Sequence, residues 1–429
     1  MKKNKITIIG AGFYGCLTAW KIKKNFPELN IDLIDSSDHI ISSADPIKIG
    51  KEFYNNGFHG IELPRANDIF NFFKNQLKIP LIKKQNIRKL LIDGEIVDYT
   101  SSLAEYPTHL KKYFHKIPDK FLENFEDFFN YISDDYKEIL NKISLRYSDN
   151  AKDSYHYLIP WFFPRDFNIN ASDEGYLFRK DVRLKKIYPE FGFPNSYLFK
   201  DIQKPFFDEL KSLGINVNLE TNVKINNSGI NYFKKKNNEE EVTLSKDQMV
   251  FFCNSPVSIL KSISQDSFDA LTKNKRILIN AIIELKDLGS SLDFSEMLCA
   301  DLNFIKLSRI SKINNKNKNE NIRFQLEIFS ETDYDINDIT KEIEKFIPDI
   351  FLKYKYKFLG VIGLMASRTL FFPDNKTISS SINKVKLWSQ SFPNFNIQEH
   401  FGPMNMAKTW IFSEKNIRFI NKNITNAPR

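Results

Sequence analysis

The segment Lys5-Ile-Thr-Ile-Ile-Gly-Ala-Gly-Phe-Tyr-Gly15 begins with five residues of buried-strand character and runs into G-x-G-x-x-G at Gly10, Gly12 and Gly15. Helix-forming residues follow from 14 to 25, and a second apolar run, Ile31-Asp-Leu-Ile34, ends in Asp35. Strand, glycine turn, helix, strand and terminal acid at these offsets describe a βαβ dinucleotide-binding unit. Gly10 makes the turn tight, Gly12 lets a pyrophosphate approach the backbone, and Gly15 lets the helix pack on the strand. The unpaired N–H groups at the helix start, around Phe13 and Tyr14, favour phosphate. Asp35 can accept both hydroxyls of an adenosine ribose, whereas a 2′-phosphate there would meet like charge, so FAD or NAD is expected rather than NADP.

Working outward, many flavoproteins place a glycine pair after the ribose acid, and this chain has His39-Ile-Ile-Ser-Ser-Ala44 there. Ser36 and Ser43 are the expected contacts in this loop, although serine lacks the backbone freedom of glycine. Further on, the turn Gly57-Phe-His59-Gly60 brings an imidazole close to bare backbone. Such a histidine either lies beside a ring or phosphate or caps its own loop.

The chain has 429 residues and 42% hydrophobic content, enough for two or three domains, one of them built from separated segments. No run of eighteen apolar residues is present, and the glycine motif starts too early to leave room for a signal peptide. A cytoplasmic protein is expected. Three isolated cysteines, Cys16, Cys253 and Cys299, lack metal or redox spacing and read as buried free thiols. The net charge of +9 comes from lysines scattered among asparagines, not from a basic face with interleaved aromatics, so nucleic acid is not the expected partner. The histidines at 109, 115, 156 and 400 have no partners at metal spacing.

The expected fold class is α/β: a three-layer Rossmann-like FAD-binding domain with an inserted helical domain and an antiparallel β-sheet substrate domain. The nucleotide domain is assigned to 1–80, 195–260 and 370–429, the helical and aromatic insertion to 81–194, and the sheet domain to 261–369. Within the insertion, residues 90–97 read as a hairpin with an Asp-Gly turn. Residues 155–167 are dense in aromatics and proline, and offer Trp161 either to a substrate cleft or to the core. Arg179, Arg183 and Lys185 follow in alternation and face either an anion or, on a solvated strand edge, water. Residues 197–213 predict a helix ending at Gly214, residues 248–253 a buried strand, and residues 335–346 a helix. Residues 370–373 read as a short element, and a closing helix is expected over 407–420.

The order and spacing of these parts resembles the UDP-galactopyranose mutase branch of the amine-oxidase and protoporphyrinogen-oxidase flavoproteins, loosely over nearly the whole chain. The matching pieces are Gly10 to Gly15 with Asp35, the Gly57-Phe-His59 turn, Asn222-Val223, Phe304-Ile-Lys-Leu-Ser-Arg309, the Phe-Phe-Pro-Asp of residues 371–374, and Gly402-Pro-Met-Asn405. The resemblance implies FAD, with Val223 near the adenine, His59 near the isoalloxazine and Gly402, Met404 and Asn405 at its pyrimidine end. It also implies Arg309 on the diphosphate of a nucleotide sugar whose ring opens and recloses without net redox change. Phe329 and Phe401 stand where the mutases have diphosphate-binding tyrosines, Ser42-Ser43 where they have a glycine pair, and Pro393-Asn-Phe395 where they have Gly-Gly-Arg.

Three functions are compatible with these residues. One is an FAD enzyme acting on a sugar or nucleotide-activated sugar, with Arg309, Arg179 and Arg183 as anion contacts. Another is an amine-oxidase-type FAD oxidoreductase with an aromatic cage that includes Trp161 and Phe372. The third is a non-catalytic nucleotide-binding protein. A small-molecule partner is expected in the first two, and oligomeric state leaves no signature.

Overall fold

The computed structural model describes residues 5–57, 60–63, 66–98, 133–152, 190–226, 229–234, 242–244, 248–313, 321–392, 394–397 and 406–425. Two sheets carry the architecture. The first is a five-stranded parallel sheet in the order Asn216–Asn218, Asn30–Ile34, Lys5–Ile9, Met249–Phe252, Phe395–Ile397. Its central strand is buried on both faces, as the run of Ile6, Ile8 and Ile9 requires. The helix Phe13–Asn25 packs on it and is covered by the closing helix Met406–Thr425. These two helices are joined by a buried polar network: Asn416 donates to the Tyr14 hydroxyl at 2.8 Å and to Thr18, and accepts from Asn396. Lys21 reaches the Trp410 carbonyl and Glu414, its ammonium 3.5 Å from the indole centroid.

The second sheet has seven strands in the order Tyr356–Phe371, Lys275–Asp287, Asn321–Ser330, Leu307–Lys312, Glu296–Cys299, Arg88–Ile92, Glu95–Asp98. It is antiparallel except where Glu296–Cys299 runs parallel to Arg88–Ile92. One face, with Phe324, Leu326 and Ile328, packs under the helix Ile336–Lys353 to form a continuous apolar core. The hairpin Ile47–Ile49/Glu52–Tyr54 crosses to the opposite face, where Ile47, Ile49 and Tyr54 pack on Ile282. Gly363 permits that crossing, because a Cβ there would lie 2.2 Å from Ile49 Cγ2.

Several expectations change here. The 90–97 hairpin forms, with Asp93 and Gly94 both at positive φ, but it pairs into the seven-stranded sheet and not into a helical insertion. Residues Leu81–Gln85 pair with Glu190–Pro194 and so also leave the insertion. Phe191 and Phe193 are buried with the core of the parallel-sheet side. The helix after Asp335 does not stop before Pro348 but continues to Lys353. Its buried stripe, Ile339, Ile343, Ile347, Ile350 and Phe351, outweighs the one hydrogen bond that proline removes. Residues 370 and 371 end a sixteen-residue edge strand. Among the described residues, no helix is long and apolar enough to cross a membrane, and the three cysteines are free.

Candidate functional site

The dinucleotide end of the site is built almost wholly from backbone. Gly10 sits at φ +105°, donates its N–H to Ile34 O at 2.7 Å, and leaves no room for a side chain, since a Cβ would lie 2.2 Å from Asn254 Oδ1. Gly15 meets the strand directly, a Cβ there falling 1.7 Å from Gly10 O. Gly12 is different, because nothing lies within 4 Å of its would-be Cβ. That open space at the start of a thirteen-residue helix could hold a diphosphate.

Asp35 ends the second strand half-exposed. Its Oδ2 accepts from the Ala11 N–H at 2.6 Å and its Oδ1 from the Ser37 N–H at 2.8 Å, so the carboxylate braces the glycine turn while keeping further lone pairs. The Asp35 carbonyl accepts from Thr221 N–H, which brings the strand Thr221–Asn226, with Val223 half-buried, to the same edge. Ser36 and Ser43 are exposed on the loop that follows. In that loop the left-handed residue is neither serine but Ile41, at φ 54°, an unusual place for a β-branched side chain. Its N–H bonds Ala11 O at 2.8 Å and its side chain is buried. His39 lies between Asp38 and Asp45; burial is the largest single influence and lowers its pKa, but the hydrogen bonds to Asp45 and Asp38 together with their charges outweigh it and raise it. Phe13 and Tyr14 contribute only backbone to this end. The Phe13 ring packs edge-on against Phe73 and Phe206, and the Tyr14 hydroxyl is held by Asn416.

The second end is the face of the seven-stranded sheet turned toward residues 47–57. Along Asn321–Ser330 this face carries Arg323, Gln325, Glu327 and Phe329, alternating with the core residues. Gln325 donates to Asn280 Oδ1 at 2.6 Å and to Asn55 O at 3.0 Å. Asn55 in turn accepts from Phe199 N–H and donates to Tyr197 O, so the approach to Gly57 is pinned on both sides. Gly57, at φ +90°, stands over Glu327, 3.3 Å from its Oε1 to a would-be Cβ.

Glu327 is paired in register with Arg309, whose Nε lies 3.5 Å from Glu327 Oε2. The Arg309 Nη1 is 3.2 Å from Oε1 of Glu296, which is 1% exposed and also takes Arg88 Nε at 2.7 Å and Asn86 Nδ2 at 3.0 Å. Burial alone would push the Glu296 carboxyl up, but the Arg88 and Arg309 charges pull it down to about 2. Two arginines and two carboxylates thus close a neutral cluster. Beyond it, Phe329 packs with Phe372 and Tyr147, the three ring centroids 5.0–5.6 Å apart. Phe372, expected in a substrate cage, is therefore part of a largely buried aromatic trio.

The structure thus brings Gly10, Gly12, Gly15, Asp35 and Val223 to one edge, and Gly57, Arg309 and Phe372 to the polar sheet face. His59, Trp161, Arg179, Arg183, Gly402, Met404 and Asn405 lie outside the described residues, as do Pro393 and Phe401. Sequence reading missed Asn254, Arg88, Glu296 and Glu327. The first was findable as the end of the strand beside Lys5–Ile9; the others read only as polar positions of alternating strands. Among the described residues no group of three potential metal ligands occurs.

Residues 8–75 match the family model of the NAD(P)-binding Rossmann-like domain. The crystal structure of reduced UDP-galactopyranose mutase superposes with a TM-score of 0.67 at 13% identity, covering 98% of this chain and 96% of the other. The chain shares the fold of UDP-galactopyranose mutase. A protein described as a protoporphyrinogen oxidase, from Exiguobacterium sp. 255-15, gives a TM-score of 0.61 at 11% identity over 99% and 100% of the two chains. Putrescine oxidase bound to putrescine gives 0.58 at 12% over 98% and 99%. No curated protein matches at the sequence level. The mutase fold accounts for both sheets, and the dinucleotide edge fits a dinucleotide cofactor on this chain's own geometry at Gly12 and Asp35.

Proposed function

We propose that the chain is an FAD-dependent enzyme of small-molecule metabolism that acts on a sugar or nucleotide-activated sugar. FAD would be held by the Gly10–Ala11–Gly12 turn against its diphosphate, by Asp35 on the adenosine ribose and by Val223 beside the adenine. The flavin would supply the electron pair or accept the hydride that no protein side chain can. His59 and the segment of Gly402, Met404 and Asn405 are the proposed contacts to the flavin ring, and Arg179, Arg183 and Trp161 the proposed substrate contacts from the insertion. The chain's own part is positional: the polar sheet face orients a hydroxyl-rich ligand by Asn280, Gln325, Glu327 and Arg309, and the 47–57 hairpin shields it.

The observation that carries this reading is the open space at Gly12 beside Asp35; the polar sheet face that Asn55 contacts through Gln325 supports it. An amine oxidase-type reaction is the second reading. It is favoured by the neutralised Arg309, which suits an uncharged or cationic substrate better than an anion. Incubation of dithionite-reduced protein with UDP-galactopyranose, and of oxidised protein with putrescine, separates them. Ring-contracted product supports the first; bleaching by substrate alone supports the second; neither outcome with a flavin-loaded protein contradicts both.

A further inference from the structure

Arg309 does not stand ready for an anion, since Glu296 and Glu327 already flank it. Arg88, Arg276 and Arg323 are likewise paired, with Glu296, Asp149, and Glu52 and Glu284. Among the described arginines that are not exposed, Arg146 is the exception. It is 4% exposed and, among the described residues, has no carboxylate within ion-pair distance; its Nε donates to Ile305 O at 2.7 Å and its Nη2 to Cys299 O at 3.1 Å, and the Tyr147 side chain lies beside it. The remaining nitrogen, Nη1, is buried without a hydrogen-bond partner. Asp301, two residues beyond Cys299, gives its carboxylate to the Gly94 N–H and to Asn303. A buried cation with an empty donor is strongly unfavourable unless an anion completes it.

The position of this guanidinium is fixed by the helix Asp134–Ser144, whose buried side holds Tyr136, Ile139, Leu140 and Ile143. The chain then turns once more, Arg146 N–H bonding Ile143 O and Tyr147 N–H bonding Ser144 O. Tyr147 packs on Phe329, and the Phe329 N–H bonds Lys306 O, next to the carbonyl that Arg146 holds. Arg146 therefore stands at the end of the polar floor, one aromatic layer beyond Glu327 and Arg309.

We propose that Arg146 is the anion-recognition residue of this site, its Nη1 taking a phosphate oxygen of the ligand. The inference rests on the reading of the polar sheet face as the substrate floor. The guanidinium keeps its two carbonyl bonds and adds a charge-assisted third.

The test measures melting temperature of the full chain, with whatever flavin it retains, in phosphate and in chloride at equal pH and ionic strength, and again with UDP. The wild type is expected to melt higher in phosphate and higher still with UDP. Arg146→Met is expected to melt no lower than wild type in chloride and to lose both increments, while Arg276→Met, a change at a buried arginine with no ligand role, keeps them. Arg146→Lys, which retains charge but not the fork, is expected to need on the order of tenfold more phosphate for half of the increment. An increment that survives in Arg146→Met overturns the proposal. So does the absence of any increment in wild type, an unchanged half-saturation in Arg146→Lys, or an Arg146→Met chain that melts far lower in chloride or does not fold, which would make Arg146 a carbonyl clamp. An Arg146-dependent increment without conversion of UDP-galactopyranose would uphold the anion site and remove the sugar reading.

Discussion

At the edge of the parallel sheet, the proposed cofactor would meet main chain: the Gly10–Gly12 turn, helix N–H groups, and one carboxylate that is already bound to that turn. On the antiparallel floor the proposed substrate would meet side chains, Glu327, Arg309, Gln325 and Asn280, drawn from three strands and held by one another. The first kind of site is made by local geometry and tolerates change only where the backbone has space. The second is made by charge balance, so it tolerates changes of shape better than the loss of one charge.

The glycines sharpen this contrast most. Gly15→Val forces a side chain into Gly10 O and is expected to cost about 4 kcal/mol or more, at the severe end for single substitutions. Gly12→Val enters open space and is expected to leave the urea midpoint nearly unchanged while abolishing flavin retention. Equal stability loss in both would erase the distinction. On the floor, Glu296→Leu leaves Arg88 and Arg309 without their shared carboxylate and is expected to lose about 3–5 kcal/mol in urea unfolding.

The same carboxylate sets a pH dependence. Its folded pKa of about 2 lies below the ordinary 4.5. Its contribution is therefore fully present above pH 4.5 and is lost as pH falls from 4.5 toward 2. Unfolding free energy should fall with that slope in the wild type and more shallowly in Glu296→Gln; parallel slopes would show that Glu296 is not the sensor. The smallest effect belongs to Asp374, in the Phe-Phe-Pro-Asp motif. It caps the helix Asn375–Gln390, accepting from Thr377 N–H at 2.8 Å and Thr377 Oγ1 at 2.7 Å. Asp374→Ala is expected to cost about 1 kcal/mol with no change in flavin content, measured by thermal melting.

The contrast also governs what the sequence discloses. The nucleotide edge was legible because its parts lie within thirty-one residues, Lys5 to Asp35, and each residue type there has a single geometric use. The left-handed Ile41 was not legible, since nothing in the chain marks a β-branched residue for positive φ; only its bond to Ala11 O and its burial explain it. The floor was half legible. The antiparallel sheet was expected within 261–369, but strands with one apolar face, such as Asn321–Ser330, usually turn their polar face to water. Here the 47–57 segment covers it, which no local pattern records. The charge cluster was hidden for the same reason, because Arg88, Glu296, Arg309 and Glu327 meet only through strand pairing.

The most direct measurement is the visible absorption spectrum of the purified chain before and after anaerobic dithionite, with Gly12→Val alongside. The account predicts flavin bands that bleach in the wild type and are missing from a folded Gly12→Val protein. A colourless wild type that takes up no added FAD, or a Gly12→Val protein with full flavin content, would contradict it.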